Sequence, residues 1–255
     1  MKRNVLAEMI WPEVAAKLAN YKVGVVAVGS CEQHGPNSTF ATDTSVAYEF
    51  TKKLSEVVGD KALIFPPVTY GISPHHLGFP GSATLRVETL TNVLIDIATS
   101  ITYHGIKKVL FVNGHGGNTA TLGNVVVQLK HEHGIDAYWT GAYIYGEAAA
   151  LVKERYNLPV DPNNTGHACE IESSVALYLC PEIVSPNRVK GEPRLDGPYM
   201  QHALAGGGMA VDWRKHATAN GALGDATLAC AEAGKILVDG ALAHVAKLID
   251  VIIAM

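Results

Sequence analysis

Apolar stretches alternate with amphipathic segments over the first half of the chain. Four apolar, Val-rich or Ile-rich stretches are typical of buried strands that run into loops: 23–30, 61–71, 107–118 and 135–145. Three segments between them have helical spacing: 45–58, 86–105 and 119–134. Strands that alternate with helices of this length predict βαβ units. We therefore expect a three-layer α/β/α sandwich with a mostly parallel central sheet.

Local signals set the expected ends of two of these helices. Asp43 or Thr44 could cap the first helix, since their side-chain oxygens suit the N-cap position. Gly105 suits the left-handed residue that follows the second helix. An amphipathic helix is expected at 1–18 as well.

The C-terminal third is less regular. Two further helices are predicted, at 167–184 and 227–254. The segment between them, 185–226, is rich in Gly and Pro, which favours surface loops or a short strand pair that could cover a site. There is no internal repeat, and we expect a single domain over 1–255.

Composition narrows the class of protein. Hydrophobic residues make up 48% of the 255 residues and charged residues 17%, as in a well-buried globular protein. A net charge of −4, without a Lys/Arg run, argues against a nucleic acid as partner. No apolar stretch reaches membrane-spanning length, and no CxxC pair is present, so we expect no membrane contact and a cytoplasmic location.

Polar side chains follow three of the predicted strands. Glu32 and His34 follow the first strand, Ser73 and His76 the second, and His115 the third. Ligands of parallel sheets bind outside the carboxyl ends of the strands, so we expect these side chains to converge at one edge.

Imidazoles and carboxylates together are the donor set of a divalent metal, with zinc or manganese suited to them. Asp43 could bridge two ions about 3.5–4 Å apart, an arrangement that activates water and polarises a carbonyl in amide hydrolysis. The "HGGN" stretch (115–118) has two alternative interpretations. It could be a simple turn or a loop that cradles a phosphate.

Five motifs together resemble the creatininase (creatinine amidohydrolase) family, in order over residues 20–240. They are "GSCEQHGPNSTFATDT", "YGISPHHLGFPGSATL", "VNGHGGN", "GHACEIESS" and "GALGDATLA". The resemblance implies a compact α/β sandwich, a homohexamer and two divalent ions per subunit. Zn²⁺ is the ion most expected there, with Mn²⁺ or Fe²⁺ possible.

The resemblance also implies ligand sets. Glu32, Asp43 and His115 match the ligands of one ion, and His34 and Asp43 match those of the second, with Asp43 bridging. Creatininase itself carries a Tyr and a metal-binding Glu where this chain has Gly116 and Gly117.

The missing ligand is then expected from the "GHACEIESS" segment. The resemblance implies Glu170 as that ligand, and Glu170 and His167 as the groups that handle protons near the substrate. Glu172 is expected to anchor the helix or to orient a ligand. Four residues are the substrate-binding candidates: Ser73, His76, Gly116 and Asn164. Asn163 stands where the family has an aromatic substrate partner, which argues against creatinine as the substrate.

The function implied is a metal-dependent amidohydrolase that cleaves a C–N bond of a small polar substrate, such as a cyclic amide or a formamide, with a metal-activated hydroxide. One alternative is cleavage of a C–C bond in an inositol-derived cyclic ketone on the same site. Other classes are a non-catalytic nucleotide- or phosphate-binding α/β protein and a subunit whose ions only stabilise an oligomer.

Overall fold

A wholly parallel four-stranded sheet forms the centre of the described structure. The computed structural model describes residues 4–143, 146–157, 166–197 and 211–255. Its strands are β1 (Val23–Val28), β2 (Ala62–Val68), β3 (Lys108–Asn113) and β4 (Asp136–Gly141). The strands lie in the order β2-β1-β3-β4, and every neighbouring pair is parallel. The predicted mostly parallel sheet is confirmed.

Helices cover both faces of this sheet. They are α1 (Trp11–Lys17), α2 (Thr42–Val58), α3 (Val87–Tyr103), α4 (Thr119–His133), α5 (Glu147–Tyr156), α6 (Glu170–Leu179), α7 (Trp213–His216) and α8 (Ala231–Ala254). One apolar core joins the sheet to α2, α5, α6 and α8, and a second joins it to α3 and α4. The three-layer sandwich is therefore confirmed.

Several helix ends differ from the prediction. Helix α2 begins at Thr42 after an Ala41 N-cap, so Asp43 and Thr44 lie inside the first turn and neither caps it. Helix α1 is only seven residues long. Pro12, in its first turn, fixes where the helix begins, and a 3₁₀ turn follows its last residue. Gly105 has φ +95° just beyond α3, as predicted.

The Gly- and Pro-rich segment forms loops where it is described. Within 185–197 and 211–226 the described chain has the one-turn helix α7 and isolated bridges, such as Pro193 with Thr218, in place of the alternative strand pair. The prediction for 198–210 lies outside the described residues. No helix among the described residues is long and apolar enough to span a membrane.

Two glycines let the start of α2 approach the ends of the central strands. A Cβ atom at Gly29 would lie 2.5 Å from the Thr44 Cα atom, and one at Gly114 would lie 2.9 Å from the Ala47 Cβ atom. Without side chains at these two positions, the first turn of α2 can rest on the ends of β1 and β3. This contact places Asp43 beside the loops that follow both strands.

Candidate metal centre

Four polar side chains meet where β1, β3 and the first turn of α2 come together. His34 Nε2 lies 3.3 Å from Asp43 Oδ1, while His115 Nδ1 lies 3.1 Å from Glu32 Oε2 and 3.3 Å from Asp43 Oδ2. None of the four residues is more than 5% exposed. The structure thus brings together four of the residues that the sequence marked as metal ligands, three from the ends of strands and Asp43 from the first turn of α2.

Backbone carbonyls orient two of these histidines. His34 Nδ1 lies 3.4 Å from the Glu32 carbonyl oxygen, and His115 Nε2 lies 2.9 Å from the Ile72 carbonyl oxygen. Since a carbonyl only accepts, each of these ring nitrogens donates to it. The opposite nitrogen of each ring faces the carboxylates, as in histidines that bind metals.

The cluster fits a divalent cation. The ligand atoms of Glu32, His34 and Asp43 all lie within 4.8 Å of one another. His34 Nε2 and Asp43 Oδ2 are buried and, apart from their ion-pair contacts at 3.3 Å, have no hydrogen-bond partner among the described residues. Buried polar atoms normally have a partner, and a metal ion would supply one for both.

The turn after β3 is held by side-chain amides. The Asn113 amide donates to the His115 carbonyl oxygen (2.7 Å), and Asn118 Oδ1 accepts from the Ile72 N–H (2.9 Å). A Cβ atom at Gly117 would collide with the His115 ring and the Ile72 carbonyl oxygen, whereas Gly116 faces open space. This turn therefore has no room for a metal-binding side chain at position 117.

The turn before α6 brings two more groups to the cluster. His167 Nδ1 lies 3.6 Å from Glu32 Oε1, and Glu172 Oε2 lies 3.9 Å from His34 Nε2. The ligand atoms of His34, His167 and Glu172 also lie within 4.8 Å of one another. Glu172 therefore reaches the cluster beside His34 and His167.

An unusual backbone conformation aims Glu172. Ala168 has φ +51°, and its N–H donates to Glu172 Oε2 at 2.6 Å. The fully buried Asn37 amide donates to the Ala168 carbonyl oxygen at 2.8 Å. The positive φ also explains why α6 begins at Glu170 rather than at 167, as predicted.

Glu170, the expected ligand and proton-handling group, directs one carboxylate oxygen at a neighbouring loop, while its Oε1 is buried without a hydrogen-bond partner among the described residues. Its carboxylate Oε2 accepts from the Asp225 N–H at 2.7 Å, and among the described residues it joins no group of ligand atoms. Residues two apart on a helix point to roughly opposite sides, so only one of Glu170 and Glu172 can face the cluster. Glu170 instead anchors the loop whose Leu223 pairs with the backbone of His167.

The predicted substrate-binding residues have different surroundings. Ser73 Oγ donates to Glu32 Oε2 at 3.0 Å and contacts Ser30 Oγ, so it braces a predicted ligand. His76 Nε2 lies 3.5 Å from the same Glu32 oxygen. Both Ser73 and His76 are buried, Gly116 is next to open space, and Asn164 lies outside the described residues.

Two further residues lie against the cluster without having been predicted. The Trp213 ring centroid lies 4.5 Å from that of His76 and 5.0 Å from that of His167, so it covers both rings. Gln33 contacts the same two histidines. The available signals were an aromatic residue within a Gly- and Pro-rich segment and a polar residue between two predicted ligands.

The buried carboxylates of the cluster require positive charge nearby. Burial and Asp43 act to raise the pKa of Glu32, but His115 outweighs them and lowers it to about 2. Burial acts against the charged form of His34, yet Asp43 raises the pKa of His34 to about 9. Protons on the histidines balance the carboxylates, and a divalent cation that binds there would displace them.

Two groups near the cluster are shifted toward their neutral forms. Burial, with a contribution from His34, lowers the pKa of His167 to about 4. Burial raises the pKa of Glu172 to about 7, even though its N–H partner at Ala168 acts in the opposite direction. Because His167 is neutral at pH 7, one of its ring nitrogens is free to accept a proton.

Fold and site together define a metal-dependent α/β hydrolase. Residues 7–249 match the model of the Creatininase family, described as creatinine amidohydrolase, and the chain belongs to this family. The resemblance seen in its motifs is confirmed. The protein is accordingly a metal-dependent hydrolase that acts on C–N bonds.

Individual relatives agree with this assignment. The mycofactocin precursor peptide peptidase of Mycolicibacterium smegmatis is 32% identical over 216 residues, which are 83% of this chain and 77% of the relative. The creatinine amidohydrolase of Pseudomonas putida is 26% identical over 200 residues, 74% of this chain and 76% of the relative. A solved mutant creatininase of Zn–Zn type has the same fold, with a TM-score of 0.83, 24% identity and 98% of both chains covered.

Proposed function

We propose that the site would hold two divalent ions, with Asp43 as a ligand of both. Glu32, Asp43 and His115 bind one ion, and His34, Asp43 and Glu172 bind the other. This proposal is supported by two buried atoms of opposite ligand types, His34 Nε2 and Asp43 Oδ2, that have ion-pair contacts but no hydrogen-bond partner within the described part of the chain. Imidazole nitrogens suit Zn²⁺, while the carboxylates also admit Mn²⁺ or Fe²⁺.

The reaction proposed is hydrolysis of a C–N bond, in which water adds to the carbonyl carbon and the nitrogen leaves with a proton. The ions supply Lewis acidity, which activates water and polarises the carbonyl oxygen. His167 Nδ1 accepts the proton of the attacking water and returns it to the leaving nitrogen. Its other nitrogen, Nε2, is held 2.7 Å from the Gln33 carbonyl oxygen, so the ring keeps a fixed orientation.

The substrate class proposed is a small polar amide, such as a cyclic amide or a formamide. The open space at Gly116 leaves room beside His115 for the group next to the scissile carbonyl. Trp213 covers His167 and His76, which limits water access from that side. Gly116 therefore borders the space where the substrate would lie.

Metal content separates Glu172 from Glu170. We expect about two zinc ions per chain in the wild type and about one in Glu172→Gln, because the amide is a poor ligand. Glu170→Gln is the matched control, and it keeps both ions, since the amide oxygen can still accept from Asp225. Elemental analysis after loading and desalting gives the count. A lost ion in Glu170→Gln with two retained in Glu172→Gln would reverse the assignment, and no zinc in the wild type would refute it.

A substrate screen tests the bond type. Cyclic amides, formamides, short peptides and a cyclic 1,3-diketone are incubated with the zinc-loaded protein, with Glu172→Gln as the inactive control. Turnover of an amide or formamide supports the proposal. Turnover of the diketone alone would replace C–N cleavage with C–C cleavage.

We also propose that the chain works in the cytoplasm as a homohexamer, as its resemblance to the creatininase family implies. Sedimentation velocity gives the assembly state, and fractionation of source cells gives the location. A monomer at micromolar concentration would contradict the hexamer.

A further inference from the structure

Gln33 lies between the predicted ligands Glu32 and His34, and its side chain is turned inward, with 5% of the residue exposed. Its Oε1 accepts from the Gly35 N–H at 2.7 Å, and its Nε2 donates to the Gly221 carbonyl oxygen at 3.0 Å. An N–H only donates and a carbonyl only accepts. These two backbone contacts therefore fix which end of the amide is oxygen and which is nitrogen.

The second N–H of that amide points to His76. Gln33 Nε2 lies 2.9 Å from His76 Nδ1, and since the amide nitrogen donates, His76 Nδ1 must offer a lone pair. The proton of the neutral ring is then on Nε2, which lies 3.5 Å from Glu32 Oε2. His76 thus directs an N–H group at the cluster. His34 and His115 instead direct at it the ring nitrogen opposite the one that donates to a backbone carbonyl.

The Gln33 side chain donates to His76, whereas the Gln33 backbone carbonyl accepts from His167. His167 Nε2 lies 2.7 Å from the Gln33 carbonyl oxygen, so this nitrogen carries the proton. The 3.2 Å contact between His167 Nε2 and Gln33 Nε2 is then a meeting of two donors rather than a hydrogen bond. His167 Nδ1 is left bare and faces Glu32 and Glu172.

We propose that Gln33 is a positioning residue that sets the tautomers of both histidines, so that His76 is an N–H donor excluded from metal coordination and His167 a proton acceptor. The inference rests on the proposed function. Its consequence concerns a third group of ligand atoms, Glu32, His76 and His167, which lie within 4.8 Å of one another. With a proton on His76 Nε2, that group cannot take up an ion.

Nitrogen-15 NMR of zinc-loaded protein labelled at histidine tests this directly, because protonated and bare ring nitrogens have distinct shifts. The His76 signals are assigned by their loss in His76→Gln. We expect a bare Nδ1 in the wild type. In Gln33→Glu the carboxylate can only accept, so His76 Nδ1 becomes protonated and its bare Nε2 faces Glu32. Zinc affinity then changes by roughly 10- to 100-fold.

Two further variants distinguish a change of the His76 tautomer from a general change in folding. Gln33→Met has similar length but no donor and only a weak acceptor, and it should leave His76 as a mixture of tautomers. His167 should keep its Nε2–H in both Gln33 variants, since the backbone carbonyl remains. Gln128→Met, on α4, makes the same change far from the cluster and should leave every site histidine unaltered.

The possible results separate this inference from the proposed function. A protonated His76 Nδ1 in the wild type, or an unchanged His76 in both Gln33 variants, overturns the inference even if zinc binds and amides are hydrolysed. A His76 tautomer that changes as expected supports it. If that change is seen in protein that binds fewer than two zinc ions, the tautomer assignment stands and the dinuclear function falls.

Discussion

The two sides of the metal centre are built in different ways. Glu32, His34 and His115 come from loops at the ends of neighbouring strands, and Asp43 comes from a helix that rests directly on those strand ends. Glu172, on the other side, depends on a turn with one left-handed alanine. Sheet topology by itself can therefore assemble the first of the two proposed ion sites, whereas the proposed second site needs a locally strained backbone.

The largest effect on metal content and activity is expected at Asp43, the residue that the two sides share. Asp43→Asn removes the charged ligand proposed for both ions, so zinc should fall below one per chain. The loss of Lewis acidity is worth several kcal/mol, which corresponds to at least roughly 10³-fold in amide hydrolysis. Asp96→Asn, an exposed position on α3, is the matched control. An Asp43→Asn protein that keeps two ions would remove the bridge from the proposal.

Two buried asparagines test the sides separately. Asn118→Ala leaves the Ile72 N–H and the Gly29 carbonyl oxygen without partners on the strand-end side. Asn37→Ala leaves the Ala168 carbonyl oxygen and the Val189 N–H without partners on the other. Each change should lower the free energy of unfolding by about 2 to 4 kcal/mol, as measured in urea.

The zinc content of these two variants should differ even though their stabilities are similar. Asn118→Ala loosens the turn that carries His115 and should weaken the first ion, whereas Asn37→Ala should weaken the second. Titration with a chelator, followed as zinc released per chain, resolves the two classes of ion. Loss of the same ion in both variants would show that the two sides are not independent.

The smallest effect is a change in the free energy of unfolding, expected from relief of the backbone strain at Ala168. Ala168→Gly removes the cost of a left-handed alanine, about 1–2 kcal/mol, at an entropic cost of about 0.5–1 kcal/mol. We expect the free energy of unfolding to rise by about 0.5–1 kcal/mol in thermal or urea unfolding. Zinc content should stay the same, since the residue 168 N–H can still donate to Glu172. A loss of stability would mean that the Ala168 methyl group packs well enough to offset its strain.

The sequence predicted the sheet well because each apolar run is flanked by turn residues. It also placed Glu32, His34 and His115 at strand ends, which needs only topology and no side-chain detail. The choice between Glu170 and Glu172 could not be made in this way. It depends on where α6 begins, and that depends on a positive φ at Ala168, a residue type that gives no local signal for it.

The long-range contacts around the cluster could not be predicted from local sequence pattern either. Trp213 reaches the cluster from a segment far along the chain, and its ring lies on His76 and His167 only because α7 packs beside the loop after β2. Single-domain organisation over 1–255 and the roles of the individual ligands stay predictions.

The strand order has a consequence for how the protein matures. β1 lies between β2 and β3, so Val23 pairs with Ala62 on one side and with Lys108 on the other. Parallel pairings across such separations form slowly. The cluster of Glu32, Asp43 and His115 cannot exist before them. Uptake of the proposed divalent ions should therefore report a late step of folding, and chains that fold when such ions are scarce would lack the added stability of bound ions.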